Sequence, residues 1–561
     1  MELKLLVCDP EAHFVETPNA YWVVMGTGQF LPDALRRNLS RDDKTAEKIC
    51  VDIGDAIVLK VELEVGRAVQ FTIWKGLTSG YEFFYTKRSS GDVIIADHFR
   101  NLLVQLPLAD RTISEGAIAD HFLFRTVPGT ESHCQDVSRV ALGECLEFNL
   151  NKGSISSHQF DRVDVESEKA DSEDYVDWAD TALKAVIEPL KSETEVASLF
   201  SGGVDSTLIH TYLGNNNPAV YVQSSSTAEG FEAQYATQAA NLLGVRLECR
   251  NFDTSSFLDD LAGSIRRSAL PPMFFNSTTY QAAWKMPYRK MVTGLHADIL
   301  YGHGSVSTRL ASPFASVIGN LILRAASPML KMSPRLNAIQ PAAQKLRRHP
   351  LDPFGFAGQD SLRSDLGTVM RALGPDLVKA RLERRLEYTL ERTPRPSASL
   401  GRFYQHLELA HSIGSFCEDA LMRMRHAASV YGTAVAGPFF GKSLLSAAAS
   451  VPPQDRYLKG LQGKYLLKQL LINRLPAYPI NQRKGQSTLP FEEFYATGPL
   501  SHVWERYEMP EWFREIGPDG KERLSQGVAQ SAVAWAVWRN EVLRNPDLRP
   551  VPGVQIVTWQ I

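Results

Sequence analysis

The sequence predicts an α/β protein in two parts, a β-rich N-terminal portion followed by a parallel-sheet portion that turns helical toward its end. Three observations carry that expectation. Up to about Phe160, short alternating apolar runs are separated by Gly and Asp turns. From Tyr175 onward, short apolar strands alternate with segments of helical periodicity. Beyond about Leu310 the pattern is helical, with many Arg and Lys.

In chain order, Ala56 to Leu63, Tyr81 to Tyr85, Val93 to Ala96 and Cys145 to Leu150 read as strands of the first part. Asp164 to Asp174 is acidic and without apolar periodicity, which marks a solvated linker between a domain over 1–163 and a second over 175–561. Tyr175 to Leu190 has helical spacing, with Asp174 placed as its cap. Val196 to Phe200 then reads as a buried strand, Ser206 to Leu213 as a helix, Ala219 to Val222 as a strand, Glu232 to Leu243 as a helix and Val245 to Cys249 as a strand. That alternation implies a parallel sheet covered on both faces, with a ligand site at the carboxyl ends of the strands. Asp376 to Arg392 reads as a helix. Its Arg381, Arg384 and Arg385, like Lys345, Arg347 and Arg348 upstream, are expected on a solvated face, with a peptide or partner surface as the alternative.

At 561 residues and 44% hydrophobic content, the chain is expected to hold about two to four domains. Lys and Arg number 60 against 63 Asp and Glu, so no global field attracts nucleic acid or an anionic membrane, and no nucleic-acid partner is expected. The apolar stretch Ala315 to Met332 is broken by Asn320, Arg324, Pro328 and Lys331, so no membrane insertion is expected either. Met1-Glu2-Leu3-Lys4 lacks the build of a signal peptide, which points to the cytoplasm. The six cysteines, Cys8, Cys50, Cys134, Cys145, Cys249 and Cys417, are far apart without a C-x-x-C, which argues for packed thiols over a zinc site or disulfides.

The most specific stretch is Ser201-Gly202-Gly203-Val204-Asp205-Ser206-Thr207, set between an apolar strand and a helix. Gly202 and Gly203 can adopt backbone angles closed to other residues and let the main chain approach an anion at the helix start. Ser201 and Ser206 add hydroxyl donors. Asp205 repels a phosphate unless a cation lies between them, so it is expected to hold Mg²⁺. The Lys of the commoner G-x-x-x-x-G-K-[ST] loop is missing. The wording S-G-G-x-D-S resembles the ATP pyrophosphatase loop of asparagine, GMP and NAD synthetases and tRNA-thiolating enzymes. That resemblance implies ATP cleaved between its α and β phosphates, with the stretch Ser201 to Ser206 binding the nucleotide.

One carboxylate fixes Mg²⁺ weakly, so a second acid is expected after another strand. Met291-Val292-Thr293 is strand-like, Gly294 can turn beside a nucleotide, and Asp298 follows. Thr293 to Gly304 resembles the S-G-x-G-x-D-E-x-x-x-G-G segment of asparagine synthetase-like enzymes. This implies Asp298 as second magnesium ligand, with Phe200, Thr293 and Gly294 on the adenosine side. Gly437-Pro438-Phe439-Phe440 resembles the family's R-x-P-F-L-D turn. Gly463 to Lys468, Leu475-Pro476 and Gln482-Arg483-Lys484-Gly485-Gln486 resemble its closing pieces, so the resemblance runs roughly from Tyr175 to Phe494. Lys484 is expected at the reaction centre, because acyl transfer through an adenylate develops negative charge that a fixed cation stabilises. Arg483 and Lys464 are expected on pyrophosphate.

The first domain resembles the class II glutaminase sandwich of asparagine synthetases through Tyr85 to Leu103 and Val140 to Phe148. Those glutaminases use a first-residue Cys, whereas this chain begins Met1-Glu2 and Cys8 lies in an apolar run. The domain is therefore expected to be inactive, and the nitrogen nucleophile to come from the substrate. Within the family, β-lactam synthetases and lasso peptide cyclases have that character. Gly294-Leu295-His296-Ala297-Asp298 is nearer the G-H-G-G-D-H segment of lasso cyclases, with the His displaced by one. The family's E-x-R before the P-F turn is replaced by Ala434-Val435-Ala436.

Together these readings imply an ATP-dependent ligase resembling lasso peptide cyclases. It would adenylate a side-chain carboxylate of a precursor peptide and close it with the peptide's own amine into a macrolactam, as in antibiotic biosynthesis, with a leader-removing protease as a further partner. His296, Glu418 and Asp419 are the candidate bases. A small-molecule amide or β-lactam-type synthetase, an asparagine synthetase-like enzyme, and a non-catalytic nucleotide-binding scaffold are the alternatives.

Overall fold

The computed structural model describes residues 1–27, 35, 38–39, 44–163, 175–224, 231–272, 275–302, 366–393, 400–451, 456, 458–459, 462–481, 489–514 and 526–561. The expected linker 164–174, the stretch Ala315 to Met332, the basic residues Lys345, Arg347 and Arg348, and the Gln482 to Gln486 segment lie outside the described residues.

Alternation of side chains decides how the N-terminal strands pack. They are β1 (Glu2–Val7), β2 (His13–Thr17), β3 (Ala20–Gly26), β4 (Ala56–Glu64), β5 (Arg67–Lys75), β6 (Phe84–Lys87), β7 (Val93–Ala96), β8 (Ser138–Arg139), β9 (Glu144–Asn149) and β10 (Ser154–Gln159). β5 pairs with β9 from Gln70 to Trp74, and reaches the other half of the sheet only where Arg67 meets Gln560. The strands thus form two layers. Leu3, Leu5 and Val7 of β1 share one core with Val23, Leu59, Phe71 and Phe148, between those layers. The opposite faces are also covered. Trp22, Val58 and Trp74 pack with Cys50 of the Lys44–Ile53 helix, while Leu6, Phe84 and Ile94 pack under helices. A strand with period 2 that is apolar on both faces can be buried only in such a layered arrangement.

The second sheet has five strands in the order β13-β12-β11-β14-β15, with every neighbouring pair parallel. Its members are β11 (Val196–Leu199), β12 (Ala219–Ser224), β13 (Leu247–Phe252), β14 (Lys290–Val292) and β15 (Ala434–Ala436). Ser198 lies beside Ala219 on one side and Val292 on the other. The chain therefore reverses its direction of winding at β11, and the loops leaving β11 and β14 open a crevice between them. Helices Tyr175–Lys191 and Val204–Leu213 cover this sheet, burying Leu183, Ile187, Leu208 and Ile209 in its core.

Three expectations need correction. The unit expected over 175–561 does not keep its last residues, because the strand Gln555–Gln560 pairs antiparallel with β1 from Glu2/Gln560 to Val7/Gln555. The helix Gln526–Trp538 likewise joins a core with Phe99 and Phe122. An edge of β1 left open would expose unpaired amides, and the returning chain closes it. Next, Tyr81 to Phe83 is not strand: Glu82 is drawn into a buried pair with Lys75 at 2.6 Å, and Tyr81 lies under Arg425. Finally, the helix Pro375–Glu391 is not a solvated basic face. Arg381 pairs with buried Asp120, Arg384 with Glu131, and fully buried Arg385 donates to Ser415 at 2.8 Å, so this run joins the two halves of the molecule.

Candidate active site

The loop after β11 is shaped by two glycines and a tyrosine. Gly202 has φ +71°, and a Cβ there would overlap the backbone of Tyr235 and Ala236, so only glycine fits. Tyr478, buried, donates its hydroxyl to the Gly202 carbonyl at 2.7 Å and holds the turn from outside. Gly203 is the N-cap of the Val204–Leu213 helix and offers no side-chain cap, which leaves first-turn amides to an anion. Ser201 and Ser206 were expected to donate to phosphate. Here they stitch the loop: their hydroxyls are 3.2 Å apart, the Ser201 amide donates to Ser206 Oγ at 3.2 Å, and the Gly203 amide donates to Ser201 Oγ at 3.3 Å.

The turn after β14 comes against this loop. A methyl group at Gly294 would lie 3.4 Å from both Asp205 Cβ and the Ser206 nitrogen. Thr293 fixes the turn, donating its amide to the Ala436 carbonyl at 2.9 Å and accepting from the Leu295 amide at 3.2 Å. Asp298 follows in the short helix Ala297–Tyr301. The third contributor is Lys464. It follows the hairpin of β16 (Leu458–Lys459) and β17 (Gln462–Gly463) and caps the Tyr465–Arg474 helix with a left-handed φ of +54°.

Lys464 joins the two acids. Its Nζ donates to Asp205 Oδ1 at 2.9 Å and Oδ2 at 2.7 Å, and is ion-paired with Asp298. Burial alone would lower the Lys464 ammonium, but Asp205 and then Asp298 outweigh it and hold the group above its ordinary value. Two carboxylates converging on a single cation, beside a main-chain cradle, is a donor set that suits a divalent ion. Among the described residues no group of three or more His, Cys, Asp or Glu is placed to hold a metal, so phosphate oxygens would supply the remaining ligands.

The other expected residues lie differently. The Phe200 ring is buried edge-on to His210 at 5.7 Å, and its amide donates to the Val220 carbonyl at 2.8 Å, so it borders the loop with its backbone rather than with its ring. Val204 opens the helix. His296 is 3% exposed, stacked on Phe440 at 4.6 Å with Nδ1 on the Phe439 carbonyl at 3.1 Å; burial lowers it to about 4. These contacts fix it against the Phe439–Phe440 turn. Glu418, assigned above to the chemistry, is instead buried between the two halves, accepting from Tyr388 at 2.7 Å beside Arg139. Asp419 is tied to Arg423 at 2.9 Å. Lys484 lies outside the described residues. Tyr478, two residues after Pro476, carries no compositional signal of this role in the sequence.

Cys8 stands just after β1. Burial, then Asp97 and Asp9, raises its thiol far above the ordinary value, the opposite of an activated nucleophile. Asp97 accepts from the Cys8 and Asp9 amides at 2.8 and 2.7 Å, yet burial and then Asp9 push it up to about 7. The folded state therefore keeps a proton on Asp97 that an unfolded carboxylate loses near 3.8. Its contribution to stability is present below that value and is lost as pH rises through about 7. Between about pH 6 and pH 8, thermal unfolding of Asp97→Asn is expected to decline less than that of the unsubstituted protein, and parallel declines would contradict the assignment.

No helix among the described residues is long and apolar enough to cross a membrane. None of the curated proteins matches the chain. The family model described as asparagine synthase matches residues 177–540, well over half of the sequence and all five strands of the parallel sheet. A parallel sheet whose switch point presents two acids on one lysine thus coincides with the matched region, and the chain belongs to the asparagine synthase family, whose chemistry is ATP-dependent carbon–nitrogen bond formation.

Proposed function

We propose that the protein is a Mg-ATP-dependent amide synthetase that adenylates a carboxylate of a peptide and closes it with the peptide's own amine, a lasso-type macrolactam cyclase in peptide natural-product biosynthesis. The observation that carries the nucleotide part is the convergence of Asp205 and Asp298 on Lys464 at the mouth of the glycine loop. Bound there, a divalent ion on the triphosphate would offset its charge and lower the barrier to attack at the α-phosphorus. The chain's own residues do the rest. Gly202 and Gly203 bring the main chain against the phosphates, Tyr478 holds the loop's shape, and Asp205 and Asp298 fix the ion. AMP is the leaving group and pyrophosphate the released product.

Cys8 supports the intramolecular amine. Burial and the neighbouring Asp97 and Asp9 hold this thiol protonated, which disfavours attack on glutamine and supports a nitrogen carried by the substrate. A precursor peptide, with a protease to free its N-terminal amine, would meet that need.

The test is ATP–pyrophosphate exchange with peptides that carry an Asp or Glu side chain and a free N-terminus. Exchange, with a product lighter than the peptide by one water, is expected. Exchange only with small amino-acid-like carboxylates would favour a small-molecule synthetase, and no exchange with any carboxylate would favour a scaffold. Cys8→Ser is expected to leave product formation unchanged with no glutamine consumed; measurable glutamine hydrolysis would overturn the inactive-glutaminase reading.

A further inference from the structure

We infer that Lys464 is an internal counter-cation that must vacate the two acids before a divalent ion can bind, so that ion and nucleotide bind as mutually dependent partners. This rests on the proposed function of the site. The geometry is specific: one ammonium sits within 2.9 Å of both oxygens of Asp205 and is also paired with Asp298, so it uses lone pairs that a divalent ion would need. A divalent ion at those oxygens would meet the repulsion of the ammonium at close range. Without a counter-cation, two carboxylates drawn to one crevice would repel each other, and the crevice would open when no ligand is bound.

Displacement of the ammonium has a direction. Lys464 stands at the first turn of the Tyr465–Arg474 helix, with its backbone fixed in the left-handed region, and that helix packs on the Val204–Leu213 helix through Arg474, which donates to Thr211 at 2.9 Å and stacks on Tyr212 at 3.8 Å. The backbone is anchored, so any displacement of the ammonium must come from rotation of the four-carbon stem. A triphosphate laid along the glycine loop would offer the ammonium new anionic partners close by, whereas an ion arriving alone offers none. The ion alone therefore binds against the cost of stranding Lys464, and a nucleotide relieves that cost. Coupling of this kind is reciprocal.

The experiment measures Mn²⁺ binding by electron paramagnetic resonance, without nucleotide, on the full chain and on Lys464→Met, Lys464→Gln and Lys464→Arg. The neutral variants are expected to bind Mn²⁺ about tenfold more tightly or better, because the competing charge is gone, while Lys464→Arg stays as weak as the unsubstituted protein. With α,β-methylene ATP present the order is expected to reverse, the neutral variants holding the ion and nucleotide together less tightly. Circular dichroism checks that each variant is folded, and the Gln variant preserves length and polarity should Met disturb packing. Equal or weaker Mn²⁺ binding by both neutral variants would overturn the exchange while leaving the metal site intact. An Asp298→Asn control separates the two levels: if Mn²⁺ binding to a neutral Lys464 variant ignores that change, the metal site itself is wrong and the exchange falls with it.

Discussion

Asp205→Asn and Asp298→Asn each lower pyrophosphate release by about a thousandfold or more while the protein stays folded. The substitution keeps the volume and removes one charge from the pair that meets at Lys464 Nζ. With one carboxylate, a divalent ion has a single charged protein ligand, and the phosphate charge developing on the leaving side is left to water. Folding should survive, because these side chains are 23% and 29% exposed and lie at a loop mouth rather than in a core. Pyrophosphate release and circular dichroism measured together check this. Full activity in either variant would remove that residue from the site.

Asp55→Ala lowers the denaturation midpoint by the equivalent of about 3–5 kcal/mol. Asp55 is fully buried and meets Arg425 in a two-pronged pair, Nη1 to Oδ1 at 2.8 Å and Nη2 to Oδ2 at 2.7 Å. The Gly80 amide also donates to Asp55, at 2.9 Å, and the Arg425 guanidinium lies 3.6 Å from the Tyr81 ring centre. Loss of the carboxylate leaves a charged guanidinium in the interior without its partner, which costs more than the pair itself contributes. Asp55→Ala combined with Arg425→Met is therefore expected to be more stable than Asp55→Ala alone. A midpoint unchanged in the single variant would show that the pair is not buried as described. The pair also bears on the site, since Arg425 Nε donates to the Val435 carbonyl at 3.1 Å, in β15 next to β14. Lys290, which opens β14, is held by Glu11 at 2.9 Å from the N-terminal layers. The N-terminal layers in this way brace the strands that lead to Asp298.

The parallel-sheet half was the more legible in the sequence. Its strands are short apolar runs between turn residues, and the observed β11, β12 and β14 lie within a residue or two of where periodicity puts them. Val93 to Ala96 is recovered as it stands, because the run is apolar throughout and bounded by turns. The resemblance to asparagine synthetase-like segments singled out Asp298 beside Asp205, and both follow strands of a parallel sheet, where loops at the carboxyl ends share one crevice. What was hidden depends on partners distant in the chain. Gln555–Gln560 lies beyond the strand and helix alternation of its own half, and its partner β1 stands at the other end of the sequence. Arg381 and Arg385 look solvated by composition, and only Asp120 and Ser415 reveal their burial. Glu418 stood near the P-F turn in motif order, yet a helix turns it away toward Tyr388 and Arg139. Charge alone carries no address; its neighbours in space supply one.

The central claim is that two acids from the two crossovers at the switch point together grip a divalent ion on the triphosphate. A crystal structure with Mn²⁺ and α,β-methylene ATP tests it most directly, through the anomalous signal of the ion. The account predicts one ion ligated by both Asp205 and Asp298 and by phosphate oxygens, with Lys464 moved onto the phosphate tail. An ion that touches neither carboxylate, or a nucleotide bound away from the Ser201 to Ser206 loop, would contradict it.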